Sequence, residues 1–143
     1  MIQVTYGEEY RFLPWAASRI GINKFKDDAK SIALIKDEEI LAVTVFDSFS
    51  DADCSIHIAS NGSKRFLTRE FLVKCFAYPF IQCRFNRITG LVPENNFAAL
   101  KFDLHLGFKQ EGLVREAMPD KQNIIVLGML RRECRFIPLE YRI

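Results

Sequence analysis

The sequence predicts an α/β domain of the α+β kind, with a mixed, mostly antiparallel central sheet flanked by helices. Three strand-like segments follow one another through short polar turns, the pattern of an antiparallel meander. Helical patterns then alternate with short apolar strands, which places helices on the faces of the same sheet. Over 143 residues no internal repeat, low-complexity tract or linker breaks this order. Residues 1–143 are therefore expected to form a single domain that buries most of a two-layer core.

Residues 8–20 carry Tyr10, Phe12, Leu13, Ala16, Ala17 and Ile20 at near-helical spacing, interrupted by Pro14 and ended by Gly21 and Asn23. The first strand is expected over 29–36, and Asp37-Glu38-Glu39 makes a tight polar turn. The second, 40–46, reads ILAVTVF and is rich in β-branched and aromatic residues. After the polar loop 47–51 the third strand, 54–59, alternates: Cys54, Ile56 and Ile58 on one face, Ser55, His57 and Ala59 on the other. Residues 60–63 form a turn, and 68–80 read as a helix packed through Phe71, Leu72, Cys75 and Phe76. A short buried strand, 87–92, is closed by Pro93. The next helix, 96–106, has Asn96 as its N-cap and Gly107 as its C-cap. Strands at 108–116 and 123–130, joined around Pro119-Asp120, complete the order of helix, three strands, helix, strand, helix and two strands.

The composition, 49% hydrophobic and 27% charged, is that of an ordinary globular domain. A net charge of +2 gives no global electrostatic reason to bind nucleic acid or a membrane surface. Thirteen Phe against one Trp predict a core of aromatic packing. Cys54, Cys75, Cys83 and Cys134 lack C-x-x-C spacing, and His57 and His105 supply no paired zinc ligands, so no metal is expected. The four cysteines stand in apolar surroundings and read as buried free thiols. The N-terminus lacks a basic segment followed by a long apolar run, and no apolar stretch reaches the roughly 20 residues that span a bilayer. A cytoplasmic protein without a membrane partner is expected.

In such a sheet a strand–turn–helix unit presents backbone N–H groups at the helix N-terminus, an anion site, and the 59–68 junction is the place for it. Further along, residues 96–108, NFAALKFDLHLGF, follow the pattern N-x-x-A-x-x-L-Y-x-K-x-G-F, with Asn96, Ala99, Phe102, Leu106, Gly107 and Phe108 on matching or similar positions. Residues 109–115 continue as GF-x-x-E-G does, 69–80 resemble "T-E-A-L…D-Y-A-F", and 127–134 resemble a closing strand of short members. Through these motifs residues 31–134 resemble the GNAT superfamily of acyl-CoA-dependent N-acetyltransferases, in particular its short phage-type or bacterial members.

The resemblance implies a GNAT fold, acetyl-CoA as co-substrate, and transfer of its acetyl group to a primary amine, on a small molecule or a protein, by direct attack. It implies that acyl-CoA lies between the strands ending near Ala59 and Val92, with its pantetheine along the edge at Ile58, Ala59 and Ser60. A backbone N–H near a bulge in that strand would steady the oxyanion, and a general acid would protonate the leaving thiolate. Residues Ser63, Lys64, Arg65, Phe66, Leu67 and Thr68 occupy the place of the family's R-G-x-G-x-A loop, with Lys64 and Phe66 where glycines let the backbone approach the pyrophosphate. Helix N–H groups, with Lys64, Arg65 and Arg69, would still face the phosphates; the opposing reading has Phe66 filling that site. Asn96 and Phe102 would face the cofactor.

Three residues are candidates for proton transfer. Asp103 stands where the family often has an acidic Tyr, and serves only with a raised pKa; a solvent-facing helix position is the simpler expectation. His57 has a suitable pKa range and a central place, set against an ordinary hydrogen-bonded His on a sheet face. Glu94, at the mouth of the expected cleft, would relay a proton through water, set against a loop carboxylate. Asp47, Asp51 and Asp53 would draw a cationic amine or simply form a solvated hairpin loop. The alternative function is a catalytically inactive GNAT fold used as an interaction module. A nucleic-acid module is suggested only by the interleaving of Arg65-Phe66, Arg69, Lys74, Arg84-Phe85 and Arg87, and the near-neutral charge argues against it. A homodimer is left open.

Overall fold

The structure, a computed structural model, describes residues 1–62 and 68–143. Seven strands form one sheet in the order β1-β2-β3-β4-β5-β7-β6: β1 (Ile2–Tyr6), β2 (Lys30–Lys36), β3 (Glu39–Asp47), β4 (Asp53–Ser60), β5 (Arg87–Pro93), β6 (Lys109–Val114) and β7 (Ile124–Leu130). Three helices accompany them: α1 (Glu9–Ile20), α2 (Arg69–Ala77) and α3 (Phe97–Leu106). Among the described residues every strand pairing is antiparallel except β4 with β5. The mixed, mostly antiparallel sheet flanked by helices is thus the observed fold.

Three elements depart from the expectation. Residues 2–6 form an edge strand on β2 that precedes the first helix. Helix α1 runs through Pro14 rather than breaking there. Proline removes one intrahelical hydrogen bond, but Phe12, Ala16 and Ala17 are buried on the sheet, and that anchorage holds both halves in line. Helix α2 ends at Ala77 and passes into a wider π-helical turn, Tyr78–Gln82, closed by the Cys83 N–H donating to the Tyr78 carbonyl at 2.9 Å.

Period-2 alternation sorts the strand residues onto two faces. On one, α1 packs through Phe12, Ala16 and Ala17 onto Ala33, Ile35, Val43, Val45 and Ala59. On the other, α2 and α3 bring Phe71, Phe76 and Leu106 onto Ile32, Phe46, Ile56, Ile88, Leu127 and Met129. Phe76 stacks on Phe136 of the C-terminal segment, centroids 5.0 Å apart and planes 7° from parallel. Cys54, Cys75 and Cys134 are buried free thiols and Cys83 is half-buried; burial pushes Cys54 and Cys75 up to about 12.

The β4–β5 ladder sets the site. Its register runs from Asp53↔Arg87 to Ile56↔Gly90 and stops. Both strands continue, but residues 57–60 pair only with β3 and residues 91–93 only with β7. The two strands therefore splay apart beyond Ile56 and Gly90, leaving facing edges without strand partners among the described residues. The expected bulge in β4 is absent: its register with β3 runs unbroken from Ala42↔Ser60 to Asp47↔Ser55, and the shifts fall at Leu34/Ile35 and Gln110/Gly112. With no inserted residue, divergence from β5 alone opens the sheet.

Candidate active site

A cavity of about 400 Å³ fills the splay, with Ile56, His57, Ile58 and Ser60 of β4 on one side and Leu91, Val92 and Pro93 of β5 on the other. Helix α3 roofs it through Asn96, Ala98, Ala99, Phe102 and Asp103, and Ile20 at the end of α1 reaches its opposite mouth. The helix is placed by two caps. The Asn96 side chain accepts from the Ala99 N–H at 3.2 Å, and Gly107, at φ +115°, turns the chain so that the Phe108 N–H reaches the Asp103 carbonyl at 3.1 Å.

His57 projects on the α1 face. Its Nε2 lies 3.0 Å from Asp47 Oδ1, and its ring stands 5.3 Å from that of Phe25. Asp47 is 5% exposed. Burial by itself would raise its pKa, but the His57 hydrogen bond and charge, with the Lys26 N–H, carry it below the ordinary carboxylate value. Asp103 projects from the other side. It does not face solvent as a plain helix residue: it lines the cavity and comes within 3.9 Å of where a Cβ on Gly90 would stand. Burial pushes it up to about 7, with only the charge of His57 opposing.

Of the other expected cofactor residues, Ile58, Ser60, Asn96 and Phe102 meet at the cavity, whereas Ala59 turns into the α1 core. Thr68 caps α2, accepting from the Phe71 N–H at 3.2 Å, and Arg69 is exposed at its first turn. Lys64, Arg65, Phe66 and Leu67 lie outside the described residues. Glu94 is directed elsewhere: its two carboxylate oxygens accept from the Asn123 N–H and Nδ2, each at 3.1 Å. Asp51 is exposed on the β3–β4 loop.

Sequence reading missed a polar row on the α1 face beside the splay. The Thr89 hydroxyl donates to Asp53 Oδ2 at 2.9 Å, Arg87 Nε and Nη2 reach Thr89 Oγ1, and Nη2 meets Glu111 Oε1 at 2.8 Å. Glu111 crosses β7 because the ladder slips at Gln110/Gly112 and Gly128 has no side chain; a Cβ there would collide with the Glu111 carboxylate. Only the Glu-Gly pair of the quoted motif signalled it. Of the proposed basic–aromatic stripe, Arg87 is ion-paired here, Phe85 is buried and Lys74 pairs with Glu70 at 3.4 Å.

No family model matches the chain, and no curated protein matches its sequence. Solved structures do match. A mutant of spermidine N-acetyltransferase SpeG from Vibrio cholerae superposes with a TM-score of 0.76 at 14% identity, over 90% of this chain and 93% of that one. A structure described as a "Probable acetyltransferase" gives 0.72 at 12% identity, over 92% and 94%. The chain has the GNAT acetyltransferase fold. Among the described residues no group of three or more His, Cys, Asp or Glu is arranged to hold a metal, and no helix is long and apolar enough to cross a membrane.

Proposed function

We propose that the protein is an acyl-CoA-dependent N-acetyltransferase that moves an acetyl group from acetyl-CoA to a primary amine by direct attack. The observation that carries this reading is the splay itself, which holds one titratable group on each face: His57 on the α1 side and Asp103 under α3. Acetyl-CoA supplies the activated acyl carbon and the thiolate leaving group. The residues present suit it: β4 and β5 offer edges without strand partners among the described residues, Ile58, Val92 and Phe102 offer an apolar lining, and the Thr68-capped start of α2 would face the phosphates.

His57, held by Asp47, removes the proton from an ammonium arriving on the α1 side. The free amine forms the new C–N bond as the C–S bond breaks. Asp103, still substantially protonated near pH 7, delivers a proton to the departing sulfur. The acylated nitrogen sheds its second proton, which restores Asp103, and His57 returns the first to water, so no net charge is left on the protein. Lys64, Arg65 and Arg69 are proposed as phosphate contacts, and Asn96 with Ser60 as contacts to the pantetheine arm.

The SpeG structures are named for spermidine; at 14% identity the likeness carries the fold and not the acceptor. Calorimetric titration with acetyl-CoA tests the reading. Micromolar-range binding, with thiol release when amines are added, is expected. Absence of binding at saturating acetyl-CoA favours the inactive interaction module, for which the glycine-poor stretch at Lys64 and Phe66 is the specific motive.

A further inference from the structure

Resting on the acyltransferase reading, the surface outside the splay defines the acceptor. Helices α2 and α3 share one face of the sheet, so the phosphate end of the cofactor and the roof of the cavity belong to that side. The acceptor must enter from the opposite, α1 side. There α1 packs on β2, β3 and β4, and the face of β5, β7 and β6 beyond it is open: Leu91 is 41% and Val114 47% exposed.

Register orders this open face into two zones. The row next to the splay is polar: Asp47↔Ser55 on β3 and β4, then Ser55↔Thr89 and Thr89↔Gly128, with Glu111 lying over Gly128 and the Asp53↔Arg87 rung just behind. Three carboxylates, Asp47, Asp53 and Glu111, stand there against the Arg87 guanidinium and the charge of Lys26 that acts on Asp47, with His57 beside them. That excess of negative charge favours an ammonium at the inner end. Outward the pattern changes. Leu91 pairs with Val126, and Pro93 pairs with Ile124, which pairs with Val114, so the same face becomes an apolar strip. Leu91 and Pro93 also line the cavity, as does Ile20 across its mouth, so the strip is continuous with the place of transfer.

We infer that the acceptor is a primary monoamine with an apolar alkyl or aryl body, its nitrogen beside His57 and its body on the strip from Leu91 across Val126 to Val114. A second cation has no good position. Laid on the strip it would lose water without a counter-charge, and at the far end Glu116 stands beside Arg115. Toward the inner end Asp53 and Glu111 are already engaged by Arg87, Thr89 and Ser50.

The test compares kcat/KM for phenethylamine and hexylamine with that for ethanolamine and spermidine, at saturating acetyl-CoA. The apolar monoamines are expected to lead by about tenfold or more, the scale of a small apolar contact. Val126→Thr and Val114→Glu, both off the cavity lining, are expected to lower kcat/KM for phenethylamine several-fold while acetyl-CoA affinity is unchanged. Parity or preference for spermidine or ethanolamine overturns the inference, as does insensitivity to both substitutions. A dimer in sedimentation velocity that Val114→Glu disperses also overturns it, because a second copy then covers the strip. Normal acetyl-CoA binding in those cases leaves the acyltransferase reading standing; no acetyl-CoA binding at all removes both.

Discussion

Asp47 and Asp103 both lie near His57, both are largely withdrawn from water, and their acidities move in opposite directions. Burial raises each. Asp47, on the α1 side, receives a hydrogen bond from His57 at 3.0 Å and faces the Lys26 N–H at 3.5 Å, and these outweigh burial. Asp103, under α3, has only the charge of His57, without a hydrogen bond from it, to offset burial and rises to about 7. The difference teaches that donors, rather than depth, decide whether a carboxylate here is an anchor or an acid.

The largest expected effect comes from removing the acid. Asp103→Asn should lower kcat by about 100-fold, the usual scale for a positioned proton donor, with little change in KM, and should abolish the fall in activity as pH rises past 7. The same substitution should stabilise the fold. The raised pKa is a burden on the folded state that is absent below the unfolded value of 3.8, grows as pH rises, and is complete above 7. A shift of this size corresponds to at most about 4 kcal/mol, so a higher Tm at pH 8 that vanishes by pH 4 is expected. An unchanged pH profile together with an unchanged Tm would remove Asp103 from the mechanism.

Next comes the anchor. Asp47→Asn keeps the shape but weakens the hold on His57, and should cost about 1–3 kcal/mol at pH 7, as loss of a charged hydrogen bond does. Because the Asp47 pKa is lowered, its stabilisation is present above 3.8 and is lost as pH falls through the folded value. The two proteins should therefore converge in acid-denaturation curves. Equal stability at pH 7 would contradict the pairing.

The smallest effect belongs to a carboxylate of a third kind, bonded but 37% exposed. Gly128→Ala must displace Glu111 from Arg87, yet an exposed ion pair is worth at most about 1 kcal/mol. Urea unfolding should show a loss no larger than that, while acceptor KM rises.

Much of the fold was legible because alternation and caps are local. The β2–β4 meander follows from side-chain period and turn residues, and the Asn96 and Gly107 caps follow from residue type, whereas the side on which α2 and α3 pack does not. The β1 segment, Ile-Gln-Val-Thr-Tyr, carries the same alternation but is short enough to pass for an unstructured leader. Pro14 misled because propensity was outweighed by the burial of Phe12, Ala16 and Ala17. Ile58, Ser60, Asn96 and Phe102, which the family resemblance set along the acyl-CoA, do line the cavity. The partnerships of Asp47, Glu111 and Asp103 could not be read from the sequence, since each depends on which residues neighbouring strands and α3 set opposite one another.

The lone parallel ladder has a consequence for how the molecule comes apart. β1 to β4 form one antiparallel wing in sequence order, with α1 between β1 and β2, and β5, β7 and β6 form a second antiparallel wing. The wings meet through a ladder of four rungs, Asp53↔Arg87 to Ile56↔Gly90. Parallel rungs are the less stable kind and these close a long loop through α2. The two groups proposed for proton transfer straddle that seam, so its transient opening separates His57 from Asp103 while both wings remain folded. Amide protons of residues 53–56 and 87–90 should then exchange before those of β2 and β3, and the rate of that exchange sets how long the site stays assembled.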